Sequence, residues 1–81
     1  MADKDGDKTV RQHIEHLVQE EHRLHAQGGL SEQERHRLEV IRVELDQCWD
    51  LLRQRRALRE FGEDPDLARV RPPNIVENYE Q

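Results

Sequence analysis

Two adjacent glycines, followed at once by a helix-start signal, divide this chain into two helical segments. Gly28-Gly29 ends the first, because glycine takes the left-handed conformation at a helix C-terminus without steric penalty. Ser31-Glu32-Gln33-Glu34 opens the second as a capping box, in which Ser31 and Glu34 each satisfy a backbone donor of the other. A chain punctuated in this way folds back on itself. Reading the two glycines as a phosphate cradle fails, because the flanking strand and lysine that such loops use are missing.

Apolar spacing supports a helix on each side of the turn. From about Lys8 to Gln27, Val10, Ile14, Leu17 and Leu24 form a heptad seam, with Val18 beside it and Glu21 at one core position. Thr9 is the expected N-cap. The second helix runs from about Glu32 to Phe61, with Gly62 as its stop. Its main stripe is Leu38, Ile41, Leu45, Cys48 and Leu52, with Trp49 at one edge, and a second stripe of Val40, Val43, Leu51, Leu58 and Phe61 falls on the opposite side. At the usual helical rise it spans ~45 Å, against ~30 Å for the first helix. Counting back from the turn sets Lys8 opposite Leu51 and leaves Leu52 to Phe61 overhanging. The expected buried set is Ile14, Leu17, Leu24, Leu38, Ile41, Leu45, Cys48, Trp49 and Leu52.

The ends read differently. Met1 to Asp7 mixes charge with glycine and has nothing to bury, so residues 1–7 are expected to be a disordered tail ahead of a hairpin at 8–61. Asp64-Pro65-Asp66 restarts the chain, with Asp64 as N-cap and Pro65 at the first helical position. Leu67 and Val70 are expected to pack in a single turn. Arg71-Pro72-Pro73 must be extended, and Asn74 caps a last turn carrying Ile75, Val76 and Tyr79. Residues 62–81 therefore read as a segment packing back on the hairpin or on a partner. The fold class is all-α: an antiparallel, coiled-coil-like helical hairpin with an extended, partly helical C-terminal segment.

Composition narrows the function. Eighty-one residues make at most one small domain, and 33% hydrophobic against 38% charged residues leans towards disorder, a long helix or a coiled coil. Periodicity selects helices. A net charge of −5 argues against general affinity for nucleic acid or anionic membrane. One cysteine forms no intramolecular disulfide, Met1 to Lys8 lacks an apolar run of signal-peptide length, and no stretch approaches the ~20 apolar residues of a membrane span. A soluble, cytoplasmic protein is expected.

Three groups of residues invite chemistry. His13 and His16, like His22 and His25, have a spacing that sets two imidazoles on one metal ion, but the two pairs lie on opposite flanks of the apolar stripe and cannot converge within one helix. Boundary histidines, with no metal and no cofactor, are the expected reading. Cys48 falls at a core position, where a thiol is a small hydrophobe rather than a nucleophile. Arg53, Arg55, Arg56 and Arg59 are the most informative charges, since Arg55 and Arg59 continue the main apolar stripe where it overhangs the hairpin. They suit either salt bridges to a partner helix or a basic strip for phosphate or an acidic protein segment.

Glu20-Glu21-His22-Arg23-Leu24, the block Leu45 to Leu58 (LDQCWDLLRQRRAL), Asp64-Pro65-Asp66 and Ala68-Arg69-Val70-Arg71-Pro72 resemble a family of short bacterial proteins, mainly from high-GC Gram-positives, known only as a domain of unknown function. The likeness covers most of the chain from about Val10 to Tyr79. It implies a stand-alone, intracellular helical protein and transfers no site residues.

The expected function is a small non-enzymatic protein-interaction module, a homodimer in which two hairpins form a bundle. Its partner-binding residues are expected to be Leu51, Arg53, Arg55, Arg56, Leu58, Arg59 and Phe61, with a second copy or another protein as partner and no membrane. The alternative is a regulatory protein that binds nucleic acid or the transcription or translation machinery through the arginine strip, although nucleic acid suits the acidic chain poorly.

Overall fold

The computed structural model describes residues 2–74, with side chains described from residue 6 onward. Two helices, α1 (Ala2–Gln27) and α2 (Glu32–Glu60), are followed by the short 3-10 turn η1 (Pro65–Leu67). The turn and caps between the helices arise from the expected residues. Gly28 and Gly29 both hold positive φ, 64° and 53°. Ser31 Oγ accepts from the Glu34 backbone N–H at 3.1 Å, and Glu34 accepts from the Ser31 N–H at 2.9 Å. That backbone bond, then Gln27, holds the Glu34 carboxyl below its ordinary range. At the other end of α2 the N–H of Gly62 bonds the Arg59 carbonyl and that of Glu63 bonds the Leu58 carbonyl, a Schellman closure at the expected stop.

The antiparallel register is visible in a ladder of side-chain contacts. Gln27 donates to Glu34 beside the turn, Arg37 forks onto Glu20 with both contacts at 2.7 Å, and His13 lies 4.0 Å from Glu44. Asp7 meets Arg55 at the far end. The Arg37 hydrogen bonds hold the Glu20 carboxyl low.

Leu17, Leu24 and Ile41 form the core cluster, with Leu30, Leu38, Leu45 and Cys48 half-buried against it, and Ile14 and Leu52 buried nearby. Two helices make one layer and cover only one stripe of each. Trp49, expected in the core, is therefore 46% exposed: one step round the helix from Cys48, it faces the side of α2 that α1 leaves open. Val40, Val43, Leu51 and Leu58 of the second stripe are half-buried, and Phe61 is exposed.

Two further expectations change. Residues 2–7 continue α1 rather than forming a tail, and Thr9 lies inside the helix instead of capping it. The longer α1 reaches the region that the shorter hairpin left overhanging, so Leu52 is buried. After α2, Asp64 caps η1 by accepting from the Asp66 N–H at 2.9 Å, as expected, and Pro65 is buried. Leu67 and Val70 do not pack: both are exposed, because the chain crosses α2 through polar and backbone contacts. The turn expected at Ile75, Val76 and Tyr79 lies outside the described residues.

Candidate functional site

The far end of the hairpin is organised around a buried arginine. Arg55 is 5% exposed on α2, at the position where the apolar stripe would place its next residue. Its Nε donates to Asp7 Oδ1 at 2.6 Å, and its Nη1 donates to Asp66 Oδ1 at 2.9 Å and to the Pro65 carbonyl at 3.2 Å. Arg59, one turn on, reaches the same Asp7 carboxylate, with Nη1 to Oδ1 at 3.1 Å and Nη2 to Oδ2 at 2.9 Å. Burial pushes the Asp7 carboxyl up, but the hydrogen bonds from Arg59 and Arg55 with their charges outweigh it and leave the carboxyl below its ordinary value. Burial likewise opposes the Arg55 charge, and Asp7 and Asp66 more than restore it. Gly6 is what admits the guanidinium: a Cβ there would lie 2.3 Å from Arg55 Nη2 and 2.6 Å from Cζ.

A second buried charge secures the chain beyond η1. Asp50 is 1% exposed and accepts from Gln54 Nε2 at 2.9 Å and from Arg71 Nε at 3.0 Å, with Arg53 Nη2 at 3.8 Å. Gln54 also clamps the backbone at Arg69, donating to its carbonyl at 2.7 Å and accepting from its N–H at 3.2 Å. Gln47 donates to the Arg71 carbonyl at 3.0 Å. Among the described residues no buried side-chain nitrogen or oxygen lacks a hydrogen-bond partner. The segment from η1 to Arg71 is thus tied to α2 by hydrogen bonds, where apolar contacts had been expected.

On the face left open beside this network, a cleft of about 260 Å³ is lined by Trp49, Arg53, Arg56 and Arg59 of α2, by Asp7 and Arg11 of α1, and by Leu52. Helical spacing explains the gathering. Trp49, Arg53 and Arg56 follow at intervals of four and three, which stacks them on one face. Arg56 is highly exposed and pairs with Glu60 at 3.2 Å, and Arg53 is half-exposed. A second, more apolar cleft of about 340 Å³ lies on another side, between Val10, His13, Glu44, Cys48, Leu51 and Val70. Burial, then the Glu44 charge, pushes the Cys48 thiol up, away from the thiolate a nucleophile needs.

The expected partner-binding set therefore divides. Arg55 points inward, held by Asp7, Asp66 and Pro65, and Arg59 is turned partly towards Asp7. Arg53 and Arg56 remain on the surface with Trp49. Leu51 lines the second cleft, Leu58 is half-buried near η1, and Phe61 is 81% exposed at the α2 C-cap. His13, His16, His22 and His25 are all exposed, and among the described residues no group of three or more His, Cys, Asp or Glu is placed to hold a metal ion.

Sequence reasoning missed Asp7, Asp50, Gln54, Asp66 and Arg71 as organising residues, and with them Arg11 as part of the cleft. One signal for the first group was present. An arginine that continues an apolar stripe is buried only if carboxylates meet it, and Asp7 and Asp66 lay in segments with no other assigned task. Arg11, exposed on α1, carried no such signal.

Comparison with known proteins gives the lineage. An uncharacterized protein of Mycobacterium bovis (strain ATCC BAA-935 / AF2122/97) is 55% identical over 80 residues, covering 94% of this chain and 92% of its own length. Uncharacterized proteins of two Mycobacterium tuberculosis strains, CDC 1551 / Oshkosh and ATCC 25618 / H37Rv, align with the same identity and coverage. No solved structure matches the chain. A family model described as "Protein of unknown function (DUF2630)" matches residues 6–81, and the chain belongs to that family.

Proposed function

We propose that this protein is a small non-enzymatic interaction module whose binding face is centred on Trp49. The observation that carries the reading is the half-exposed Trp49 in a cleft lined by Arg11, Arg53, Arg56 and Arg59. Tryptophan and arginine are the residue types that most often dominate binding energy at protein interfaces. An indole left wet on a chain with 4% aromatic residues, while Leu17 and Ile41 are fully covered, is placed for contact rather than for the core. A reducing cytoplasm suits the single, half-buried Cys48 thiol.

Affinity capture from the host's own lysate with the parent protein and with Trp49→Ala tests this. Trp49 lies outside the core cluster and is 46% exposed, so the variant is expected to keep its helical content, which circular dichroism checks. Partners held by the parent and released by the variant support the reading, and identical captures with both proteins overturn it.

Self-association is a second reading, favoured by Phe61, Leu67 and Val70, which stand 81%, 56% and 63% exposed around the end of α2 and the segment after it. Sedimentation equilibrium at micromolar concentration gives twice the 9.7 kDa chain mass if two copies cover these residues. A clean monomer removes the homodimer.

A further inference from the structure

We propose that the Trp49 cleft receives an acidic, extended segment of another protein, with an apolar side chain on the indole and carboxylates on the surrounding arginines. This rests on the interaction reading above and names the chemistry of the partner.

Charge carries the assignment. The chain is acidic overall, yet four of its 13 lysines and arginines converge on this one cleft, against a single lining carboxylate. That carboxylate is itself instructive. Asp7 enters the cleft from α1 and is gripped by Arg59 through both oxygens, at 3.1 and 2.9 Å. The site thus already binds one carboxylate from within its own fold, and it does so at the Arg59 end. Arg11, Arg53 and Arg56 extend the same positive surface past the indole. Arg56 pairs with Glu60 at 3.2 Å with both side chains exposed, and such a surface pair is weak and yields to a better-placed partner. Arg53 stands 3.8 Å from the buried Asp50, and its half-exposed guanidinium adds to the positive surface where it is.

Other occupants fit less well. A second copy meeting the first across a two-fold axis through this cleft would bring arginines against arginines, because such an interface sets the same patch on both sides. A small ligand needs most of its surface enclosed, and this cleft is open along one flank of a two-helix layer. A polynucleotide carries charge along its whole length and would lay phosphates against the acidic surface beyond the four arginines, whereas a short acidic segment sets its charge within the cleft alone.

Trp49 is the sole tryptophan, so its emission reports directly from the cleft. The full chain is titrated with a short peptide of glutamates around one central phenylalanine, with the same peptide carrying glutamines, and with a single-stranded oligonucleotide. The glutamate peptide is expected to shift Trp49 emission saturably. The affinity should fall as salt screens exposed charges and fall about fivefold in Arg11→Gln/Arg56→Gln. Both replaced side chains are exposed, and an unchanged melting curve of that variant shows that the loss is not unfolding.

An equal response to the glutamine peptide, no saturable shift, or tighter binding of the oligonucleotide overturns the acidic segment. Emission that changes with protein concentration alone assigns the cleft to a second copy and also overturns it. Capture from lysate that is lost in Trp49→Ala but kept in Arg11→Gln/Arg56→Gln overturns the acidic chemistry while leaving the interaction module intact.

Discussion

Arg55 and Asp7 stand 48 positions apart in the chain, and the guanidinium Nε donates to the carboxylate Oδ1 at 2.6 Å. The contact closes the end of the hairpin farthest from the turn. Through Asp66 and the Pro65 carbonyl the same side chain also fastens η1. Replacing Arg55 with methionine keeps much of its volume but takes the guanidinium from Asp66 and leaves Asp7 with Arg59 alone. Breaking a buried ion pair typically costs 3–5 kcal/mol, and because Asp66 is half-exposed and can rehydrate, about 2–3 kcal/mol is expected here. Urea unfolding of Arg55→Met should show this loss. Arg55→Lys should recover less than half of it, since an ammonium cannot span Asp7 and Asp66 as a planar fork does.

Stability should depend on acid through Asp7. Burial disfavours its charge, but the hydrogen bonds from Arg59 and Arg55 prevail and the folded carboxyl titrates below its ordinary value. A group depressed in the folded state stabilises the fold fully above its unfolded pKa, about 3.9, and loses that contribution as pH falls towards the folded value. Asp7→Asn should therefore lower the melting temperature at pH 7, with the gap to the parent narrowing as pH falls below the ordinary carboxylate range. A gap that persists in strong acid would mean that packing of this side chain, not its charge, is what matters.

Gly6 should resist a substitution that ordinarily helps. Glycine inside a helix is worth about 1 kcal/mol less than alanine, yet a Cβ here would meet the Arg55 guanidinium at 2.3 Å. The guanidinium cannot withdraw without releasing Asp7 and Asp66. Gly6→Ala should leave stability unchanged or lower it, as read by thermal melting, and a gain of the full propensity difference would show the contact to be loose.

Gly28 and Gly29 both hold left-handed backbone, at φ 64° and 53°, with open space around each. The effect of substitution there is conformational, not steric. Alanine at either position should cost about 1 kcal/mol, and the double replacement about twice that. Thermal unfolding of the two single variants checks it. Full tolerance at one of them would leave only a single glycine needed for the turn.

The hairpin was legible in the sequence because each of its signals acts within about one helical turn. Gly28-Gly29 sets backbone conformation at its own position, and Ser31 and Glu34 satisfy donors three residues apart. The seam of Ile14, Leu17, Leu24, Ile41 and Leu52 follows from helical periodicity alone. Where the helix begins did not follow, because Gly6 and Asp7 are poor helix residues by local propensity and gain their place from Arg55 and Arg59. Trp49 misled for a related reason. Stripe membership reports which face a residue occupies, whereas exposure depends on whether a second helix passes over that point, and α1 does not. The arginines divided in the same way. Arg55 and Arg59 both continue the apolar stripe, but Arg55 is the one that is buried, where carboxylates from two distant segments converge on it, and desolvating a guanidinium is tolerable where they do. The caps at Ser31 and Asp64, the turn and the apolar seam were thus determined by the sequence itself. Tertiary structure decided which charges are buried and which remain on the surface, because that depends on groups as far apart in the chain as Asp7, Arg55 and Asp66.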